Sequence, residues 1–256
     1  MNCVKDFYND IADYYHLIYS DWEQSIAHQA KCLSEIIKNN WHKVDGNILD
    51  CTCGIGTQSL GLANLGYKIS CSDISENAIK RAKEEAKKRN LKIKFTVSDI
   101  RSLPDELSNK FDFVISCDNS LPHLPNKAEV LKGLQQMFKC TKFGGGAIIS
   151  VRDYEKEKQI GLDLIPYGIR QIGSAKIAIF QIRDYYKKDY YRISLYFVYD
   201  YGNPTCNTLV FRSKYFAISI DQIMHLMKQV GFINISRIDN CFFQPVIVAT
   251  KPLGGK

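Results

Sequence analysis

Between residues 46 and 153, short β-branched and aliphatic runs alternate with amphipathic, helix-favouring runs, the pattern of a parallel sheet covered by helices. Strands are expected at 47–51, 68–72, 92–97, 111–117 and 147–151, with the clearest helices at 75–89 and 127–138. Asn90 and the triple Gly144-Gly145-Gly146 supply stops, and Ser75 is an N-cap type with Glu76 at the helix's positive end. Upstream, residues 6–40 hold an aromatic cluster leading into an amphipathic run at 26–37, read as helices across the open end of the sheet. Downstream, 176–182, 190–199 and 207–216 are β-rich, with Tyr201-Gly202-Asn203-Pro204 as a turn, so the alternation stops there. It resumes with a helix at 220–230, ended by Gly231, and strands at 233–238 and 246–250 that complete a sheet of seven. The expected plan is α/β, a doubly wound, mostly parallel seven-stranded sheet. A helical lid spans 1–45, the core 46–153, a β-rich insertion or cap 154–217, and a closing helix and strands 218–256.

A chain of 256 residues accommodates one large domain, or a core domain with an insertion. Its 45% hydrophobic and 24% charged residues exclude a disordered or collagenous chain. The net charge of +7 tolerates an anionic ligand without demanding nucleic acid. Lys80 to Arg89, with Lys92 and Lys94, is interleaved with Glu84 and Glu85 and reads as a solvated helix face. The tyrosines at 185, 186, 190 and 191 read as a half-buried strand pair. Nine cysteines, an odd number, behind a polar start lead to an expectation of reduced thiols in the cytoplasm. No apolar run approaches the roughly 20 residues that span a bilayer, so no membrane partner is expected.

The first strand ends in Asp50-Cys51-Thr52-Cys53-Gly54-Ile55-Gly56 and opens a helix, the place where doubly wound sheets hold ligands. Gly54 and Gly56 let backbone approach a ligand, but the third small position of a dinucleotide fingerprint is Ser59, which argues against a nicotinamide cofactor. Asp73, followed by Ile74, closes the second strand where a carboxylate takes both hydroxyls of a ribose. Asp99 closes the third, placed to accept from an adenine amine while Ile100 packs on the ring. Three acids at successive strand ends beside a glycine turn point to an adenosine ligand. Cys51 and Cys53, with Cys71 and Cys117, lack zinc-finger spacing and read as small buried residues, so no metal is expected.

On these residues the chain resembles the class I S-adenosylmethionine-dependent methyltransferases, whose fold is Rossmann-like. The resemblance covers 46–153 and, more loosely, the terminal strands. It implies S-adenosylmethionine as cofactor, with the 50–56 loop around the methionine moiety, Asp73 on ribose, and Asp99 with Ile100 on adenine. The segment Asp118-Asn119-Ser120-Leu121-Pro122-His123-Leu124 lacks the proline tetrad of base-methylating enzymes. It is similar instead to the Asn-Ser-x-x-His-Leu segment of the glycine and sarcosine N-methyltransferases, matched by Asn119, Ser120, His123 and Leu124. Asp118, Asn119 and His123 are therefore also expected beside the cofactor. Arg152, at the end of the fifth strand in Arg152-Asp153-Tyr154, is expected to clamp the acceptor's carboxylate with help from the Asn119 amide, unless it only bridges to Asp153, Asp118 or another acid. His123 either acts as a base or positions the loop. Tyr14, Tyr15, Tyr19 and Trp22 stand where the relatives cover the cofactor with aromatic side chains, but 21–30 contains no arginine.

The expected activity is methyl transfer to a small amine, with glycine and sarcosine implied by the resemblance. Another small carboxylate- or hydroxyl-bearing metabolite is the alternative acceptor, and a non-catalytic adenosyl-binding module the alternative of another class. A homo-oligomer is left open.

Overall fold

The computed structural model describes residues 4–157 and 161–254. Seven strands form one sheet: β1 (Asn47–Asp50), β2 (Lys68–Asp73), β3 (Lys94–Val97), β4 (Phe111–Ser116), β5 (Thr141–Ser150), and, numbered in chain order past an insertion, β10 (Ile233–Ile238) and β11 (Val246–Thr250). Their spatial order is β10-β11-β5-β4-β1-β2-β3. The five strands from β3 to β5 are parallel, and β11 runs antiparallel to both its neighbours. The order reverses at β1, so the loops after β1 and β4 diverge and leave a crevice at the strands' carboxyl ends.

Helices α1 (Val4–Ile11), α2 (Trp22–Trp41), α3 (Thr57–Asn64), α4 (Glu76–Lys88), α5 (Lys127–Cys140) and α6 (Ile220–Val230) surround the sheets. On one face of the large sheet, Leu33, Ile36 and Ile37 of α2 pack with Ile48, Phe113 and Ile148. On the other, Val130, Leu134 and Met137 of α5 and Ile223 of α6 pack with Leu49, Val114 and Ile149. Strands covered on both faces need continuous apolar runs, and Phe113, Val114 and Ile115 in β4 are fully buried. α2 is longer than its amphipathic centre suggested, because Asp21 caps it by accepting from the Gln24 N–H at 2.9 Å. It covers the sheet face rather than crossing the open end, and the ring of its last residue, Trp41, packs against Gly146 of β5, leaving no room for a Cβ. The triple glycine, expected as a stop, lies inside β5. Gly144 has φ +74° and the β4–β5 register shifts beside it, so the glycines form a bulge within a continuing strand.

The insertion is a second sheet, an antiparallel meander of β6 (Gly161–Ile172), β7 (Ala175–Lys187), β8 (Tyr190–Asp200) and β9 (Asn207–Phe216). Three of these strands were legible; β6 was not. It is an edge strand whose register shifts between Pro166 and Gly168, and those two residues hide its period. The inner face continues the core of the large sheet through Ile177, Ile193, Leu195 and Phe197. From β6, Arg170 reaches back to the N-terminal segment: its Nε donates to the Tyr19 carbonyl at 2.8 Å and an Nη to the Ile18 carbonyl at 3.4 Å. Among the described residues no helix is long and apolar enough to cross a membrane, and the eight described cysteines are free thiols.

Candidate active site

The loop after β1 turns through left-handed backbone at Gly54 (φ +52°) and Gly56 (φ +94°), conformations that residues with a Cβ adopt only under strain. The turn is held from behind. Asp73 at the end of β2 accepts the Gly54 N–H at 2.8 Å on one oxygen and the Ser75 N–H at 2.9 Å on the other, joining the loop to the start of α4. Burial raises its pKa, and those backbone donors pull it partly back. Asp50 lies behind the loop, accepting from the Ser59 hydroxyl at 2.7 Å, with burial pushing its pKa up to about 7. Ser59, where a dinucleotide site needs Gly or Ala, thus serves Asp50. Trp22 donates from its indole to the Thr57 hydroxyl at 2.9 Å, bracing the first turn of α3.

A cavity of about 710 Å³ opens in front of this loop. Cys51, Cys53, Gly54, Asp73, Ile74, Asp99, Ile100, Asp118, His123, Tyr15 and Tyr19 line it, so eleven expected cofactor residues converge. Asp50, Gly56, Trp22 and Asn119 do not line it: the first three support the loop and α3, and Asn119 faces elsewhere. Asp99 carries a tight ion pair with Arg101, which holds its pKa low against the upward push of burial. Cys51 and Cys53 are buried with raised pKa values caused by desolvation. Among the described residues no three potential metal ligands gather.

The β4 loop puts two consecutive non-glycine residues, Asp118 and Asn119, in left-handed backbone at φ +58° and +61°. Such paired strain persists only where surrounding bonds over-determine it. The Asp118 N–H donates to Ser150 Oγ at 2.8 Å, and the Asn119 N–H to the Ser150 carbonyl at 3.1 Å. The outcome is a carboxylate held between two spaces: Asp118 Oδ2 accepts from both Tyr15 and Tyr19 hydroxyls at 3.1 Å, and all three residues also line a second cavity of about 780 Å³. Burial raises the Asp118 pKa, opposed by the charge of Arg152 and the two phenols.

Arg152 lines that second cavity under the meander sheet, with Tyr167, Gln181, Arg183 and Glu157. It forms no bridge to an acid: Asp153 pairs with Arg237 at 2.7 Å, and among the described residues no carboxylate lies within salt-bridge distance of Arg152. One Nη donates to the Tyr191 hydroxyl at 3.3 Å, Tyr191 shares a 2.8 Å bond with Tyr154, and Tyr154 shares bonds of 2.7 and 3.0 Å with the Asn119 amide. Asn119 Oδ1 closes the ring by accepting the Arg152 backbone N–H at 3.1 Å. Asn119 thus orients Arg152 and Tyr154 while lining the second cavity, with one of its two amide N–H groups engaged by Tyr154. A guanidinium is always charged, so its enclosure with no acid at salt-bridge distance leaves room for an anion to pair with it.

His123 is buried between Tyr8, whose hydroxyl is 2.7 Å from Nε2, and Tyr215, whose ring centroid is 4.0 Å away. Burial and the Arg152 charge push its pKa down to about 3, so it is neutral near pH 7 and suits positioning rather than base catalysis. Tyr8, Tyr215, Tyr191 and Arg183 are site residues that sequence reasoning missed. Tyr185, Tyr191 and Tyr215 face one another in register across β7, β8 and β9 with ring centroids 5.0 Å apart, a stack that ends on His123. The alternation of tyrosines with Lys187, Lys188 and Arg192 was the available signal.

Residues 48–145 match the family model described as a methyltransferase domain. The glycine/sarcosine N-methyltransferase of Parasynechococcus marenigrum (strain WH8102) is 26% identical over 136 residues, 53% of this chain and 47% of that protein. The chain spans about half the length of the curated relatives it matches. Among solved structures, an S-adenosylmethionine-dependent methyltransferase from Clostridium acetobutylicum ATCC 824 aligns with a TM-score of 0.73 at 18% identity, covering 99% of this chain and all of that one. CalS10, an amino pentose methyltransferase from Micromonospora echinaspora, aligns at 0.76 and 13% identity over 89% of this chain and 92% of its own. At these identities the alignments establish the fold, and they extend it across the meander sheet.

Proposed function

We propose, from the premise that residues 48–145 are a methyltransferase domain, that this chain transfers a methyl group from S-adenosylmethionine to the nitrogen of a small amine carrying a carboxylate. The observation that carries the acceptor class is Arg152, enclosed in the second cavity with no acid of its own. The first cavity fits the cofactor: a Cβ built on Gly54 would meet nothing within 4 Å, so that backbone faces open space beside the Asp73 carboxylate. When bound, S-adenosylmethionine supplies a methyl group already activated on its sulfonium. Asp73 would hold the ribose, Ile74 and Ile100 the adenine faces, and the 51–54 backbone the methionine end.

Transfer to nitrogen needs a neutral amine with its lone pair in line with the methyl carbon, and no covalent protein nucleophile. Arg152 anchors the carboxylate, and its fork is fixed by the ring through Tyr191, Tyr154 and Asn119. Asp118, facing both cavities, accepts from the amine's N–H groups, and its burial-raised pKa brings it toward the proton it must take from an ammonium. Tyr8 fixes His123, and His123 with Tyr215 fixes the wall.

The roughly 780 Å³ of the second cavity favours a second reading of acceptor size, because pockets of ~300–1,000 Å³ enclose ligands of drug size. An amine larger than glycine, such as a longer amino acid or an amino sugar, fits that space. Release of S-adenosylhomocysteine against a panel of glycine, sarcosine, larger amino acids, their methyl esters and amino sugars is the test. Turnover of free acids but not esters supports the carboxylate clamp; turnover of neutral amino sugars alone rejects it. Tight cofactor binding with no acceptor turned over rejects the enzyme in favour of a binding module.

A further inference from the structure

The second cavity holds a second arginine. Arg152 enters it from the end of β5, and Arg183 from β7, where it stands opposite Ile193 of β8. Arg183 is buried, and its charge is already met: Nη1 pairs with Glu157 Oε2 at 2.9 Å, and Nε donates to Gln181 Oε1 at 2.9 Å. Glu157 uses the same oxygen twice, accepting the Tyr185 hydroxyl on Oε2 at 2.8 Å. The other atoms of the pair, Arg183 Nη2 and Glu157 Oε1, have no partner among the described residues, and neither is sealed away from its surroundings. A buried ion pair is fully compensated only when its remaining donors and acceptors are also bonded. A donor and an acceptor thus stand together in the cavity wall, on two groups whose charges cancel.

We propose that Arg183 and Glu157 read the far end of the acceptor, and that the acceptor is an α-amino acid whose side chain ends in a carboxamide; this rests on the methyl-transfer reading above. A carboxamide is neutral and planar, with a carbonyl oxygen to accept from Arg183 Nη2 and an NH₂ to donate to Glu157 Oε1. An acidic tail answers Arg183 but sets a like charge against Glu157. An ammonium tail answers Glu157 and is repelled by Arg183, and an alkyl tail leaves both atoms unbonded. The charge sum agrees. Among the described residues, two guanidiniums, Arg152 and Arg183, and two carboxylates, Asp118 and Glu157, line the cavity. They balance a zwitterion whose tail is uncharged, and moving a proton from its amine to Asp118 leaves the total unchanged. Glu157 is the specificity-determining member, because it cancels the charge on Arg183 that would otherwise draw a second carboxylate.

Steady-state kinetics on two matched sets of acceptors test this: asparagine, aspartate and leucine, then glutamine, glutamate and methionine, each set similar in length and differing in the terminal group. With the wild-type chain, the carboxamide of at least one set should exceed both of its partners in kcat/KM by at least about tenfold, with most of the difference in KM. Glu157→Gln keeps the shape and removes the charge, which releases Arg183 for an anion. The acidic member of that set should then gain at least about tenfold, and the carboxamide should lose its lead. Calorimetric affinity for S-adenosylhomocysteine should hold in the variant, because neither residue lines the first cavity, and this separates altered selection from misfolding. Should Glu157→Gln fail to fold, the wild-type series decides alone. Equal kcat/KM within each set, a lead for the acidic or apolar member, or turnover of glycine and sarcosine in place of all six overturns the tail assignment and leaves the carboxylate clamp standing. Turnover of amino sugars with none of the free acids overturns the clamp and this inference together. A folded Glu157→Gln variant that keeps the carboxamide preference, with no gain for the acid, overturns the role of Glu157.

Discussion

The two sheets hold their polar groups in opposite ways. At the carboxyl ends of the parallel strands the acids are satisfied from within: Asp50 by Ser59, Asp73 by two backbone amides, Asp99 by Arg101. Under the meander sheet Arg152 leans on a chain of phenols with no described acid at salt-bridge distance. The first region presents a fixed shape; the second, on the proposed reading, is completed by a ligand of the right charge. On that reading, shared chemistry resides in the first and acceptor choice in the second.

The comparison is broken most severely on the cofactor side. Asp73→Ala is expected to weaken S-adenosylhomocysteine binding at least about a hundredfold, since two hydrogen bonds to a charged group, each worth roughly 1.5–3 kcal/mol, are lost together. The Gly54 and Ser75 amides lose their acceptor as well, and Asp73→Asn should recover part of the affinity. Calorimetric titration decides, and unchanged affinity in a folded alanine variant would remove Asp73 from the site.

Arg152→Lys sharpens the contrast from the other side. Lysine keeps the charge but loses the planar fork, so kcat/KM for a free-acid acceptor should fall about ten- to a hundredfold while cofactor affinity holds. Equal losses for acids and esters would mean that Arg152 serves the fold alone. Tyr154→Phe should act more mildly: Asn119 and Tyr191 each lose a partner, costing about 1–2 kcal/mol in urea unfolding, with a raised KM because the guanidinium loses its brace. A variant as stable as wild type with unchanged KM would show the ring to be dispensable.

The subtlest test uses pH, where Asp50 and His123 have opposite signs. Asp50, raised from 3.8 to about 7, holds a proton in the folded state that the unfolded chain has released, so its contribution to stability falls as pH rises from 3.8 to 7. His123, lowered from 6.5 to about 3, stays neutral while the unfolded chain takes up a proton, so its contribution falls as pH drops from 6.5 toward 3. Each changes by up to about 1.4 kcal/mol per pH unit, and over the shared window they nearly cancel. Relative to wild type, Asp50→Asn should gain stability as pH rises from 4 to 7, and His123→Gln as pH falls from 6.5 to 4. Denaturant titrations across that range measure both slopes, and parallel curves for wild type and variants would contradict the assignment.

The same contrast explains what was legible. Strands β1, β2, β4 and β11, the glycine turn, and the acids at 73 and 99 stand out because local periodicity and strand-end position determine them. The partners of His123 do not: Tyr8 is 115 residues away, and its contact depends on α1 folding back over the crevice. Asp50 was placed beside the cofactor because a motif gives position along a strand but not which face the side chain takes. Arg152 was visible as a charge at a strand end, but its lack of an acid partner emerges only when Asp153 turns to Arg237. β6 was hidden by Pro166 and Gly168, the residues that suit it to an edge.

Arg170 ties these regions together in time as well as in space. Its donors hold the carbonyls of Ile18 and Tyr19, and Tyr19 in turn roofs Asp118 between the two cavities. Outward movement of the turn would break these bonds unless the edge strand moved with it, which links the walls of the two cavities. Ligand exchange at the two ends is therefore expected to be coupled: an acceptor that stiffens the meander should lengthen the residence time of whatever lies against the glycine loop.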